Sequence, residues 1–512
     1  MSIDVSGGAG GTAAELDDLD AAAWTLDAIG QHLLGCAGRA LATGASPALA
    51  EAAVRIAVRA PHLAAAAGAA VAQVERHALG LVGATGAGGE AAALALLAST
   101  VREVVGAYRA ADRAAVMLVR DAEDLVMSEV GMAAPALLLG LGAIGLTAFA
   151  SPAGRVVGPA QVASLLDEAA YRVPWAVDLL AGGSDALLRG LAADPMCAIV
   201  LVAASYQAGV VWPPGDEREA TAVLEQVGAM AGALDESVAY AGVSVTALPR
   251  AADLAGHAPT GLAGLLTDAV DLGDPSEPGR VRVTRIPQPD GSSAWVVQVP
   301  GTQDWDPRPG GNPFDLSTDV SAMTGAATLA AVGTRRALEQ AMAAAGRAGA
   351  TGRDDPVLLS GHSQGGIISA SLASDPAFRA SHPRLQIVTA GSPIAGFPIP
   401  PSVPVLSLEH VQDPVPRLDG SANPDRPTWT TVRADLRERG APVSAGASHG
   451  SSIYLTTAEE VDGAIATHES ASLDAWARGA APFFGGDRPA QVTDFRITRL
   501  PTEPLSSVEA RR

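Results

Sequence analysis

One short motif constrains this chain more than any other feature: residues 361–366 read Gly-His-Ser-Gln-Gly-Gly. The motif lies between the apolar run Val357–Leu359 and a stretch of small residues, Ile367–Ala373, that favours a helix. The pattern G-x-S-x-G needs glycine two residues to either side of the serine, because the turn from strand to helix is so sharp that side chains there would collide with backbone. The motif therefore predicts that Ser363 is a nucleophile raised above the edge of a sheet.

The surroundings of the motif carry more weight than the motif itself. A chain with 56 glycines in 512 residues contains such spacings by chance, and the alternative interpretation is a plain glycine-rich loop. A strand-like run before the serine and a helix-like run after it favour the nucleophile. In that arrangement the backbone N–H of Gln364 points at the developing oxyanion, so Gln364 is the first predicted oxyanion donor.

A serine nucleophile needs a base, and in this arrangement an acid and then a histidine follow the serine along the chain. Asp413 fits the acid because it comes soon after the strand-like run Val403–Leu408. Three other acids are less well placed: Asp419, Asp425 and Asp435. His449 lies in a loop of small residues, whereas the alternative base, His468, lies in a run that looks helical. We therefore predict that His449 takes the proton of Ser363 and that Asp413 holds the imidazole in the required tautomer.

A second oxyanion donor is expected from the loop after an earlier strand. The strand-like run Trp295–Val299 is followed by Pro300-Gly301-Thr302, and Thr302 offers both a backbone N–H and a hydroxyl. The alternative is an ordinary proline-glycine turn. The long polar loop Gln303–Asp319 follows, in which Trp305 and Phe314 are candidate substrate contacts or, alternatively, buried anchors of the loop.

Motifs in the second half of the chain follow one another in an order that resembles a known family. They are Pro300-Gly301-Thr302, the elbow around Ser363, Thr389-Ala390-Gly391-Ser392-Pro393, Asp413-Pro414-Val415-Pro416, and His449 ahead of Tyr454. This order resembles the class 3 lipases, and the resemblance spans Val296 to Leu455. The chain departs from the family in having proline at position 300 instead of arginine and glutamine at position 364 instead of leucine, and no amphipathic lid helix is evident.

The resemblance implies an α/β-hydrolase fold and a serine carboxyl-ester hydrolase that acts on acylglycerol-like or phospholipid-like esters, as a lipase or an esterase. An acyltransferase or a thioesterase would use the same triad, because an alcohol or a thioester can enter the same acyl-enzyme chemistry. A secreted or interaction protein with an inactive hydrolase domain is the alternative from another class. None of these functions requires a metal or an organic cofactor, and we predict neither.

The charge of the chain excludes some partners. Its net charge is −21, and its pI is near 4.8. Nucleic acids and anionic lipid surfaces attract basic proteins, so we predict no nucleic-acid partner. The basic residues are all arginine, a composition that resembles actinobacterial proteins. Cys36 and Cys197 lie far apart in the chain and suggest neither a disulfide framework nor a metal cluster.

The composition and the hydrophobic pattern of the sequence change along the chain and predict two domains. Residues 1–245 are rich in alanine and look all-helical, 246–279 form a linker, 280–500 form the catalytic domain, and 501–512 are a tail. In the catalytic domain, short apolar runs alternate with helical stretches such as Ser321–Ala348, and Gln491–Leu500 reads as an added edge strand. The predicted fold class is α/β: a mostly parallel sheet flanked by helices, preceded by an all-α helical domain.

Two features of the helical half bear on where in the cell the protein is located. Met132–Ala150 is uncharged and just long enough to cross a bilayer, but its weakly hydrophobic alanines and glycines favour a buried helix over a membrane contact. Tyr108 and Asp112 match a Y-x-x-x-D motif that is weakly similar to the export signal of type VII secretion substrates; a tyrosine on a helix surface is the alternative. No signal peptide is evident. Cytoplasmic residence and type VII-like export both remain open, as does the oligomeric state.

Overall fold

The computed structural model describes residues 3–44, 46–61, 64–83, 85–149, 167, 171–172, 175–193, 195–230, 240–249, 256–440 and 444–502, with backbone alone at 43–44, 121–122, 129–149, 175–176, 179 and 196. The chain divides into two compact units. One consists of Ala13–Leu118, and the other consists of the described residues before and after that segment.

The smaller unit is helical. Its helices are α1 Thr12–Gly44, α2 Pro47–Arg59, α3 Ala64–Val82 and the first part of α4 Ala87–Phe149. Helices α1 and α4 pack closely because small residues face each other: a Cβ at Gly30 would lie 3.2 Å from the carbonyl oxygen of Ala91. An ion pair of 2.6 Å between Arg109 and Asp17 joins the same two helices. Tyr108 of the predicted export motif is 64% exposed on α4, and its role stays a prediction.

Two helical stretches pass a simple test of length and composition for crossing a membrane, Thr12–Arg59 and Ala64–Ser128. This is weak evidence, because core helices of soluble proteins and signal sequences pass the same test. Of the predicted run Met132–Ala150, the structure describes only the helical backbone to Phe149. The choice between a buried helix and a membrane contact for that run therefore lies outside the described side chains.

The larger unit combines helices with a mixed sheet. Its further helices are α5 Trp175–Gly182, α6 Ser184–Leu191, α7 Pro195–Ala208, α8 Glu217–Met230, α9 Leu262–Leu272, α10 Leu316–Met323, α11 Leu329–Ala344, α12 Gln364–Ser374, α13 Pro376–Ser381, α14 Ala445–Ser448, α15 Ser451–Ala466 and α16 Ala471–Ala480. Its strands are β1 Ile3–Gly7, β2 Tyr240–Ala247, β3 Gly256–His257, β4 Arg280–Pro287, β5 Ser293–Val299, β6 Val357–His362, β7 Leu385–Ala390, β8 Val405–His410, β9 Trp429–Ala434 and β10 Pro489–Pro501.

The described strands form one sheet in the order β1-β9-β8-β7-β6-β5-β4-β10-β2, with β3 paired to β10. Strands β5 to β9 are parallel, and the remaining pairings are antiparallel. Parallel strands have their carboxyl ends at one edge, so the segments that follow β5, β6, β7 and β8 meet there. The structure confirms the coarse α/β class predicted from the sequence: helices flank a large sheet whose central strands, β5 to β9, are parallel.

Alternation along the strands builds a separate core on each face of the sheet. On β5, Trp295, Val297 and Val299 enter one core, together with buried residues of α11 and α12. Ala294 and Val296 enter the other core, with residues of α9, α15 and α16. Because side chains alternate with a period of two, a strand covered on both faces becomes apolar throughout.

The structure differs from the sequence-based expectation in several elements. The predicted edge strand Gln491–Leu500 lies inside the sheet, because β10 pairs with β4 on one side and β2 on the other. The stretch Ser321–Ala348 is not one helix, since Gly325 has a φ of 84° and separates α10 from α11. The predicted linker 246–279 contains the buried helix α9. Strand β1, paired with β9, was not anticipated.

Candidate active site

Ser363 occupies a strained turn between strand β6 and helix α12. Its φ is 54°, a left-handed backbone conformation that residues other than glycine rarely adopt. A Cβ at Gly361 would lie 2.1 Å from the carbonyl carbon of Gly365, and a Cβ at Gly365 would lie 2.2 Å from the carbonyl oxygen of Val299. Both positions of the motif therefore require glycine, for the steric reason that the sequence pattern implies.

The predicted acid and base are in contact. Nδ1 of His449 lies 2.8 Å from Oδ2 of Asp413. Asp413 is fully buried, and its other carboxylate oxygen accepts a hydrogen bond of 2.9 Å from the backbone N–H of Val415. A buried carboxylate beside Nδ1 favours the tautomer with its proton on Nδ1, which leaves Nε2 of His449 free to accept a proton.

Tyr454 is a further partner of this pair. Its hydroxyl donates a 2.7 Å hydrogen bond to Oδ2 of Asp413, the oxygen that also contacts His449. Burial and the nearby Asp413 carboxylate raise the pKa of Tyr454 well above its usual value, so the hydroxyl keeps its proton. The sequence marks Tyr454 only as an aromatic residue after the histidine. Its reach to Asp413 depends on how α15 packs beneath β8.

The turn after β7 joins the serine to the acid–base pair. The backbone N–H of Ser363 donates to the carbonyl of Ala390 at 2.9 Å. A Cβ at Gly391 would lie 3.0 Å from Oδ2 of Asp413 and 3.1 Å from Cε1 of His449. Among the described residues, no hydrogen bond joins the Ser363 hydroxyl to His449; in free hydrolases this contact is often long and tightens when substrate binds.

Two other histidines hold the segment that carries His449. Nε2 of His362 lies 2.8 Å from the carbonyl oxygen of His449, and Nδ1 of His410 lies 2.8 Å from that of Ser448. Burial lowers the pKa of His362 to about 3 and that of His410 to about 4. Both rings are therefore neutral near pH 7, and each donates its one proton to a carbonyl of the loop.

The loop of Thr302 lies directly beside the serine. A Cβ at Gly301 would lie 3.4 Å from the Cβ of Ser363, so the backbone at 301–302 adjoins the nucleophile. The Thr302 hydroxyl donates to Oδ2 of Asp319 at 2.8 Å. Gln364 is the first residue of α12, and a helix leaves the N–H groups of its first turn without partners inside the helix. The two predicted oxyanion donors thus flank Ser363.

Asp319 is an ionisable group close to this site. Burial raises its pKa to about 7, against hydrogen bonds from Thr302 and Gln364 that lower it. Desolvation outweighs the hydrogen bonds because Oδ1 of Asp319 is buried and has no partner. Asp319 therefore changes charge near neutral pH beside the proposed oxyanion donors.

The two aromatic residues of the loop after Thr302 differ in environment. Phe314 is fully buried in the core next to β5, which favours the alternative interpretation of this residue as a buried anchor of the loop. Trp305 is 64% exposed, and its role as a substrate contact stays a prediction. Sequence position alone did not separate them, because both are aromatic residues of one polar loop.

The alternative acids and base have other partners. His468 is exposed and lies 3.1 Å from Asp474. Asp419 accepts the backbone N–H of Ala395, and Asp435 accepts the side chain of Gln412. Asp425 lies near the N-terminal strand, since a Cβ at Gly11 would be 2.6 Å from its Oδ1. Within the part of the chain that the structure describes, none of these four side chains is seen to contact the turn at Ser363.

The described residues contain no cluster of three or more His, Cys, Asp or Glu residues that could hold a metal ion. Cys36 and Cys197 do not form a disulfide. No known family model, curated protein or solved structure matches this chain.

Proposed function

We propose that this protein is a serine carboxyl-ester hydrolase with an α/β-hydrolase fold, related in its motifs to the class 3 lipases. The observation that carries the proposal is the contact between Asp413 and His449 beside a strained serine. The three residues come from separate loops at the carboxyl edge of the parallel strands, where ligands bind in open α/β sheets. The strand–turn–helix context of Ser363 supports it further.

The reaction follows from these positions. Nε2 of His449 accepts the hydroxyl proton as Ser363 attacks the carbonyl carbon of the ester, and Asp413 stabilises the imidazolium that forms. The backbone N–H of Gln364 and a donor at Thr302 stabilise the negative oxygen of the tetrahedral intermediate. His449 then protonates the leaving alcohol, and an acyl group remains on Ser363. Water attacks this ester with the same assistance and releases the acid.

The test is hydrolysis of p-nitrophenyl esters from acetyl to palmitoyl by the wild type, Ser363→Ala and His449→Ala. His468→Ala is the matched control, because this exposed histidine pairs with an aspartate outside the site. We expect both site variants to lose about 10³-fold or more in kcat while the control retains activity. The preferred chain length separates an esterase from a lipase.

A fluorophosphonate probe tests the nucleophile independently of substrate choice. We expect the wild type and His468→Ala to become labelled and Ser363→Ala to remain unlabelled. A wild-type protein that neither hydrolyses any of the esters nor reacts with the probe would leave the inactive-domain alternative as the better explanation.

A further inference from the structure

A fully buried arginine lies behind the proposed oxyanion site. Arg499, on strand β10, and Asp315 are both inaccessible to solvent and form a two-pronged ion pair. One guanidinium nitrogen, Nη2, lies 2.9 Å from Oδ1 of Asp315, and the other, Nη1, contacts Oδ2. Removing a guanidinium from water is unfavourable unless its donors find partners, so this side chain is tied to a specific surrounding structure.

Arg499 also lies over the ring of Tyr240, 5.5 Å from its centroid, and further contacts bind the turn that precedes helix α10 and the first turn of that helix. Nη1 donates to the carbonyls of Gly310 and Asn312, at 3.0 Å each, and Nη2 donates to the hydroxyls of Ser317 at 3.3 Å and Thr318 at 2.9 Å. The backbone N–H of Arg499 also donates to Gly311 at 2.8 Å. Arg499 thus holds both the turn and the first turn of α10, within residues 310–318, against strand β10.

Helix α10 connects this arginine to both proposed oxyanion donors. The carbonyl of Asp315, the N-cap of α10, accepts the side-chain amide of Gln364 at 2.7 Å. Asp319, in the first turn of α10, accepts the hydroxyl of Thr302. The first turn of one short helix therefore contacts the two residues whose donors must stand within about 0.5 Å of their required positions.

We propose that Arg499 is a positioning residue for the oxyanion site. It fixes the start of α10, and α10 sets the placement of Gln364 and Thr302 around the developing negative charge. This inference rests on the proposed hydrolase function. Arg499 itself touches neither the nucleophile nor the acid–base pair in the described contacts, so its effect on the reaction passes through α10.

The test compares Arg499→Met with a matched control, Arg282→Met. Arg282 lies on β4, the neighbour of β10, and is also a buried arginine held by carboxylates, among them Asp494 at 2.7 Å. Both variants remove a buried guanidinium from an ion-pair network, but the carboxylates that hold Arg282, those of Asp268, Asp271 and Asp494, lie outside α10. We would measure kcat and KM on the best p-nitrophenyl ester, the rate of fluorophosphonate labelling and thermal unfolding, at a temperature where all proteins are folded.

We expect kcat of Arg499→Met to fall about 10²-fold, the scale of a 1 Å misplacement of catalytic groups, with KM changed less than about threefold. Labelling should slow in parallel, because the probe also develops charge at the oxyanion site. Arg282→Met should keep kcat within about threefold despite lower stability. Equal kcat losses in the two variants, or a change confined to KM, would overturn the inference.

If Arg499→Met does not fold, two milder substitutions test whether Arg499 positions the oxyanion site. Thr318→Val removes one hydroxyl partner of Arg499 and preserves the ion pair, whereas Thr334→Val removes a buried hydroxyl of α11 that bonds only to its own helix. We expect kcat to fall about threefold to tenfold in Thr318→Val alone; an unchanged kcat would overturn the inference. A wild type that neither turns over nor labels would instead overturn the proposed function, and this inference with it.

Discussion

Replacement of Tyr454 by phenylalanine tests how the acid of the proposed triad is held. The variant removes a single oxygen atom and leaves the buried ring in place. That oxygen donates to Oδ2 of Asp413 at 2.7 Å and accepts the backbone N–H of His410 at 3.2 Å. Asp413 keeps its contacts with His449 and Val415. The variant therefore weakens the support of the carboxylate without removing the acid or the base.

The expected loss of stability follows from these two hydrogen bonds. A hydrogen bond to a charged acceptor contributes about 1.5–3 kcal/mol, and a buried N–H left without an acceptor costs about 1–3 kcal/mol. The two terms overlap, because the variant relaxes around one missing atom. We expect the free energy of unfolding to fall by about 2–4 kcal/mol.

The expected kinetic effect has a definite sign. A carboxylate with one donor fewer is held less firmly against Nδ1 of His449, so the imidazole is less well oriented toward Ser363. We expect kcat/KM at pH 7 to fall about threefold to tenfold, far less than in His449→Ala.

The assay combines urea unfolding with ester hydrolysis at pH 7. Tyr240→Phe is the control, because its hydroxyl donates one hydrogen bond of 3.2 Å to the carbonyl of Pro309 and contacts no triad residue. If Tyr454→Phe matched this control in both stability and kcat/KM, the contact with Asp413 would have no energetic role and the reasoning would be refuted.

Three further predictions concern single positions. Gly365→Ala should abolish soluble expression or strongly lower the thermal midpoint, because its Cβ would lie 2.2 Å from the Val299 oxygen; an unchanged midpoint would contradict the geometry. Phe314→Ala should cost about 3–5 kcal/mol in urea unfolding with KM unchanged, since the ring is core; a large rise in KM without loss of stability would restore it as a substrate contact. Burial raises the pKa of Asp319 from 3.8 to about 7, so the stability of the wild type should fall as pH rises through that interval. In Asp319→Asn the thermal midpoint should fall less between pH 4 and 8. Parallel curves of thermal midpoint against pH for the two proteins would exclude the raised pKa.

Local features of the site were predictable from the sequence. The demand for glycine at 361 and 365 arises among neighbouring residues, so a six-residue motif contains most of the information. The apolar runs Trp295–Val299, Val357–Leu359 and Val403–Leu408 correspond to β5, β6 and β8, because strands covered on both faces are apolar throughout. The order of serine, acid and histidine, with the strand-like run before Asp413 and the loop of small residues around His449, selected the two residues that the structure brings into contact.

Partners chosen by packing were not predictable. Tyr454 reaches Asp413 from α15, His410 reaches Ser448 from β8, and Arg499 reaches Asp315 from β10. Each of these pairs is distant in the chain, and each side chain is an ordinary residue of its own element. The same limit explains Gln491–Leu500, whose sequence resembles an edge strand although β2 covers it.

The sequence by itself determined the sharp turn at Ser363, the apolar strands at the centre of the sheet and the order in which the acid and the histidine follow the nucleophile. These properties depend on sterics and periodicity within a few residues. Only the tertiary structure decided that Phe314 is core while Trp305 is exposed, and that α10 joins Arg499 to Gln364 and Thr302. Those outcomes depend on sheet register and on which faces are buried, and both are set by contacts between distant segments.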